Sequence, residues 1–112
     1  MGDQPAEKPA EAKTGVKEIE LEGYKFTVDT DLLDDVEAFE YIDRIENKGQ
    51  VAAIVPLLTF LIGEKAYVDM KAHFSAKDAE EHKNIPDYKA RFRIGQLNKV
   101  YLAIIEKFDP KG

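Results

Sequence analysis

The sequence predicts a mostly helical α+β domain in which an N-terminal β-hairpin packs on about four α-helices. Three observations predict it. Apolar and polar residues alternate on both sides of Glu22-Gly23, which is the period of a strand pair. Residues 51–63, VAAIVPLLTFLIG, carry no charge, and only Pro56, Thr59 and Gly63 fall outside the apolar set. Before and after this run, apolar residues recur at helical spacing among charged ones.

Residues 1–16, MGDQPAEKPAEAKTGV, are rich in Ala, Glu, Lys and Pro and have no apolar period. They cannot bury enough surface to offset the entropy of ordering, so a disordered tail is expected. The domain is expected over residues 17–109, with 110–112 as a short C-terminal end. In KEIELEGYKFTVD, Ile19 and Leu21 alternate with Glu18, Glu20 and Glu22, and Tyr24, Phe26 and Val28 alternate with Lys25 and Thr27. A lone hairpin is marginal in water, so its apolar face must lie on helices. Asp29-Thr30-Asp31 offers capping oxygens to a first helix in which Leu32, Leu33, Val36, Phe39, Ile42 and Ile45 recur at helical spacing up to Asn47-Lys48-Gly49. The acids Asp31, Asp34, Asp35 and Glu37 crowd its first turns, where the helix dipole favours them.

The uncharged run is too short to cross a bilayer, which takes about 20 residues, so it reads as a buried helix or a contact with another protein. Pro56 leaves two registers open: the helix begins near Thr59, or Ala53 to Pro56 forms its first turn or a kink. Gly63 is the expected stop. Because the run is apolar nearly all round, one face can pack on its own domain while the opposite face is left over. Tyr67, Met70 and Phe74 then predict a further helix and a helical hairpin about Gly63. Residues 75–86 are polar and fit either a short turn capped by Ser75 or a plain connection. Finally, Phe92, Leu97, Val100, Tyr101, Ile104, Ile105 and Phe108 line one side of a helix from about Tyr88 to Phe108, and Pro110 ends it.

Composition narrows the function. A chain of 112 residues with 44% hydrophobic content forms one small domain with a core. It has no cysteine, which removes disulfides, thiolate metal sites and cysteine nucleophiles together. No signal peptide is visible in the polar first 18 residues, so the expected compartment is the cytoplasm. The net charge of −6 opposes general nucleic-acid binding. Its distribution is uneven: residues 1–82 hold 9 Lys and Arg against 19 Asp and Glu, and residues 83–112 hold 7 against 3. An acidic body with a basic end suits either solvated faces or pairing between copies.

The chemical motifs are absent. His73 and His82 lie nine apart and share no helix face, so they form no HExxH-type pair. The acids at Asp31, Asp34, Asp35 and Glu37 lack the central glycine and terminal glutamate of a calcium loop. There is no GxGxxG, GxxxxGK[ST] or GxSxG. A non-enzymatic protein without metal, cofactor or small-molecule substrate is therefore expected. Two candidate surfaces remain. Leu57, Phe60 and Leu61 of the uncharged run, with nearby Tyr67, could form an apolar groove that takes a partner helix by its i, i+3 and i+4 side chains. Lys83, Lys89, Arg91, Arg93 and Lys99, interleaved with Tyr88 and Phe92, form a basic stretch that reads as a solvated helix face, a site for an acidic protein, or a nucleic-acid contact.

The order of these features resembles a family. The hairpin ends in D-x-D-L-L-D-D at residues 29–35, F-E-x-I follows at 39–42, and P-L-L-T-F-L-I-G-E occupies 56–64. With Tyr24-Lys25-Phe26-Thr27-Val28-Asp29 and Asp34-Asp35-Val36-Glu37, this resembles the tail assembly chaperones of long-tailed bacteriophages and prophages of Gram-positive hosts, over roughly residues 17–108. The polar N-terminal tail and the relatively basic last helix depart from the family pattern. The resemblance implies a protein that coats the helix-rich tape-measure protein, brings tail-tube protein to it in the host cytoplasm, and self-associates. It also implies a longer product made by a −1 ribosomal frameshift, for which Asp109-Pro110-Lys111 could be encoded as GAC-CCA-AAA or GAC-CCA-AAG.

Overall fold

A computed structural model describes residues 15–108, the side chain of Phe108 excepted. The predicted tail up to residue 14 and the C-terminal end at 110–112 lie outside the described residues. Strands β1 (Val16–Leu21) and β2 (Tyr24–Asp29) pair antiparallel, so the first strand starts one residue before the expected boundary. Ile19 faces Phe26 and Leu21 faces Tyr24 across the pair. Only Glu22 and Gly23 connect the strands, both with positive φ (54° and 87°), the turn whose twist matches a right-handed strand pair. A glutamate seldom adopts this conformation. Here its carboxylate accepts from Lys77 at 2.9 Å and Lys99 at 3.1 Å, so the hairpin tip is tied to two helices. Those bonds, the one from Lys77 foremost, lower the Glu22 pKa.

The expected first helix is two elements. A 3-10 turn at Thr30–Asp34 is capped by Asp29, whose carboxylate accepts from the Asp31 N–H at 3.1 Å. The chain then extends at Asp35 (φ −84°, ψ 146°), and this residue caps helix α1 (Val36–Lys48) by accepting from the Glu37 N–H at 2.8 Å. Two capping aspartates six residues apart compete with a continuous helix, because each satisfies its neighbours' N–H groups in a non-helical conformation. The break rotates the inner stripe. Ala38 is buried, Tyr41, Ile42 and Ile45 are half-buried, and Val36 and Phe39, expected among the stripe residues, point outward. Gly49, at φ 66°, closes α1 in the left-handed conformation.

The uncharged run enters through a 3-10 turn (Val51–Ala53) and becomes helix α2 (Ile54–Ile62). Pro56 is the third residue of α2, where its missing N–H is one that no helical carbonyl would have taken. Of the two registers open in the sequence, the early one holds. Gly63 (φ 95°) ends α2, and helix α3 (Glu64–Glu81) starts immediately, giving the expected helical hairpin. No break occurs at Ser75: α3 runs through it to Glu81. Helix α4 (Ile94–Phe108) begins six residues later than the expected Tyr88, after an irregular strap.

Helix α2 is the centre of the packing and touches α1, α3, α4 and β2. Ile54, Leu57, Leu58 and Leu61 are buried beside Ile19, Phe26, Val28, Met70, Phe74, Leu97, Val100, Tyr101 and Ile104. Burial of each such aliphatic or aromatic side chain contributes about 1.5–3 kcal/mol, the main term holding a small domain with no cross-links. No helix among the described residues is long and apolar enough to cross a membrane.

Candidate partner-binding surfaces

The four residues nominated for a helix-docking groove do not form one surface. Leu57 and Leu61 are 1% and 3% exposed and belong to the core, because a central helix contacted from four sides has little face left over. Phe60 and Tyr67 are half-buried. Phe60 borders an open cleft of about 360 Å³ lined by Glu37, Tyr41, Pro56, Thr59, Phe60 and Glu64. Tyr41 from α1 and Pro56 and Phe60 from α2 supply rings to its lining beside Thr59, and Glu37 and Glu64 make it acidic. Glu37 holds one wall in place, accepting from the Tyr41 hydroxyl at 2.9 Å. Tyr67 lies elsewhere, its ring tilted against Phe92 at 6.4 Å and approached by the Lys71 ammonium at 5.9 Å.

The basic stretch is largely committed within the fold. Met70, Phe74 and Asp78 follow one another at i, i+4 and i+8 on α3, and all three are buried. The strap between α3 and α4 folds over the carboxylate that occupies the third place. Asp78 accepts from the Tyr88 hydroxyl at 2.7 Å, the Arg91 N–H at 3.1 Å and Arg93 Nε at 2.8 Å. Arg93 also donates to the Tyr88 hydroxyl, His82 stacks on the Tyr88 ring at 4.3 Å, and the Arg91 guanidinium lies over that ring. Burial alone would push the Asp78 carboxyl up. The bonds from Arg93, Tyr88 and the Arg91 backbone overcome it and hold the group well below the usual carboxylate range. Of the nominated cations, then, Arg93 is paired with Asp78 and Lys99 with Glu22, while the Arg91 guanidinium donates to the Lys89 carbonyl. Lys89 and Arg91 are exposed. The buried role of Asp78 was readable as the next step of the Met70-Phe74 spacing.

The apolar surplus expected on α2 is spread over other elements, including Val68 on α3 and Ile85 in the strap (56% and 50% exposed). Val36 and Phe39 on α1 are 69% and 66% exposed, and Ile94 and Leu102 on α4 are 71% and 53% exposed. Phe39 and Glu46 are seven residues apart and share a helix face, as do Ile94 and Tyr101. The Tyr101 hydroxyl donates to the Glu46 carboxylate at 2.5 Å and so ties α4 to α1. Burial, and then the Glu46 carboxylate, hold the Tyr101 hydroxyl above the usual tyrosine range. Tyr41, two residues on from Phe39, faces nearly the opposite way. One flank of α1 therefore walls the Phe60 cleft while the other carries the exposed stripe.

Among the described residues no group of three or more His, Cys, Asp or Glu side chains is placed to hold a metal ion. Comparison of the chain with protein-family models, curated proteins and solved structures returns no match.

Proposed function

We propose that this protein is a non-enzymatic assembly chaperone, acting in the cytoplasm of a host cell, that shields apolar helical segments of a tape-measure protein and brings tail-tube protein to it. The observation that supports the reading is the Phe60 cleft. It is an open cleft between α1 and α2 with the rings of Tyr41, Pro56 and Phe60 in its lining, and the acidic Glu37 and Glu64 suit an apolar helix flanked by basic residues. A very long helical protein with an apolar stripe would aggregate before its tube encloses it, and many small copies with such a trough would keep it apart. The likeness in residues 24–29, 34–37 and 56–64 to tail assembly chaperones is the reason for taking a tape-measure protein as the client.

The test is co-expression with a phage tape-measure protein, followed by co-purification of the wild type and of Phe60→Asp. Phe60 is only half-buried, so the variant should keep its helical circular dichroism and lose the client. A folded Phe60→Asp variant that retains the client would remove the cleft from the reading. Nucleic acid is a weaker alternative, since Arg93 and Lys99 carry carboxylate partners.

A further inference from the structure

We infer that the outer edge of β1 is a docking site for an extended basic segment of a partner protein, which adds there as a third strand. This goes beyond the client cleft and does not rest on it. The sheet has two strands, so β1 keeps one edge that β2 does not cover. In an antiparallel pair every second residue pair exchanges both backbone bonds, and the pair that flanks a two-residue turn is a bonded one. Leu21 with Tyr24, Ile19 with Phe26 and Lys17 with Val28 are therefore the bonded pairs, and the N–H and C=O groups of Glu18 and Glu20 point away from β2. Among the described residues these groups have no other backbone partner.

An open groove of about 600 Å³ is lined by Glu18, Ile19 and Glu20 of β1 and by Ala103, Glu106 and Lys107 of α4. Successive strand side chains point to opposite faces, so three consecutive residues line one groove only along the strand's edge. A strand edge on one side and a helix on the other is a setting in which an added strand gains main-chain bonds from the edge and side-chain contacts from the helix. Charge selects the occupant. Glu18, Glu20 and Glu106 stand against Lys107, and all four are exposed. Among the described residues none of these carboxylates is in an ion pair. A second copy of β1 laid along the edge would bring acids against acids, which disfavours self-pairing. A strand with lysine or arginine at every second position meets them with opposite charge, and its backbone supplies the partners that Glu18 and Glu20 lack.

Titration of the full chain with a short capped peptide of alternating lysine and valine, read by amide NMR and hydrogen exchange, tests the proposal. In the free chain the Glu18 and Glu20 amides should exchange fast, while those of Ile19 and Leu21 are held by β2. The peptide should slow Glu18 and Glu20 by about tenfold or more. Glu18→Lys and Glu20→Lys together, both at exposed positions, should weaken binding several-fold with unchanged circular dichroism. The peptoid with the same side chains keeps the charge but has no backbone N–H, so it should bind far more weakly. Phe60→Asp should bind the peptide as the wild type does, which separates this edge from the client cleft. Four results overturn the proposal: no binding, Glu18 and Glu20 amides already slow without peptide, binding that leaves them fast, or a peptoid that binds as well as the peptide. Binding lost in Phe60→Asp but kept in the Glu18 and Glu20 variant also overturns it and moves the peptide to the cleft.

Discussion

Removing one oxygen from Tyr101 measures how firmly α4 is tied to α1. In Tyr101→Phe the ring stays in the core, where Tyr101 is 2% exposed, so no cavity opens. What is lost is a hydrogen bond of 2.5 Å to the Glu46 carboxylate. Bonds to charged groups contribute about 1.5–3 kcal/mol. Glu46 is exposed, and its freed carboxylate returns to water without an orphan penalty, so the loss should be at the low end, about 1.5 kcal/mol. For a domain of this size that lowers Tm by about 6–12 °C. Thermal unfolding followed by circular dichroism reads this directly. A cycle with Glu46→Ala should give a coupling of about 1 kcal/mol or more. The variant should also alter the alkaline limb. A hydroxyl whose folded pKa is raised keeps its proton where the unfolded chain has lost it. Its stabilisation is thus complete below about pH 10 and declines as pH rises further. Additive effects of the two substitutions, or equal alkaline sensitivity in Tyr101→Phe and wild type, would refute the bond as a structural tie.

Other substitutions separate core from surface. Leu57→Ala, at a position 1% exposed, should cost about 3–5 kcal/mol in denaturant unfolding, while Phe60→Ala should cost markedly less because the cleft already exposes that ring. Asp78→Asn should lower Tm at neutral pH and free the strap to proteolysis. Because the Asp78 pKa is depressed on folding, its stabilisation is present above the ordinary carboxyl value of 3.8 and is lost as pH falls toward the folded value, so the Tm gap between wild type and variant should close only in strong acid. Gly63→Ala places a side chain at φ 95° between two helices and should cost about 1 kcal/mol or more by chemical denaturation.

The fold class, the hairpin, the helical hairpin about Gly63 and the last helix were legible because each follows from a period or a turn residue within a few positions. The errors in where the first and last helices begin have a common origin in side-chain oxygens that bind backbone or distant groups. Asp35 cut the first helix by capping its second part, and Asp78 delayed the last helix by drawing Tyr88, Arg91 and Arg93 onto α3. Neither effect has a periodic signature. A local spacing rule does place Asp78 inward, but its partners ten to fifteen residues away come only from the chain path.

The misplacement of the apolar surplus has a different cause and bears on function. The most apolar segment of a small protein is the one its own fold can least leave in water, so it becomes the centre, as α2 does. Surplus is left to helices at the periphery, where a stripe wider than the core contact remains exposed. Phe39 is such a residue, on an amphipathic helix beyond the edge of its buried face, whereas Ile94 shares the face of buried Tyr101 and is exposed because it stands at the start of α4. A partner is therefore sought on the margins of moderately apolar helices. In this chain both flanks of α1 qualify, one toward the Phe60 cleft and one toward Tyr101. Because those flanks face nearly opposite directions, Phe39→Asp and Phe60→Asp alter separate surfaces, so only Phe60→Asp should abolish binding of the proposed client in co-purification, and loss of binding with Phe39→Asp alone would move the site to the other flank.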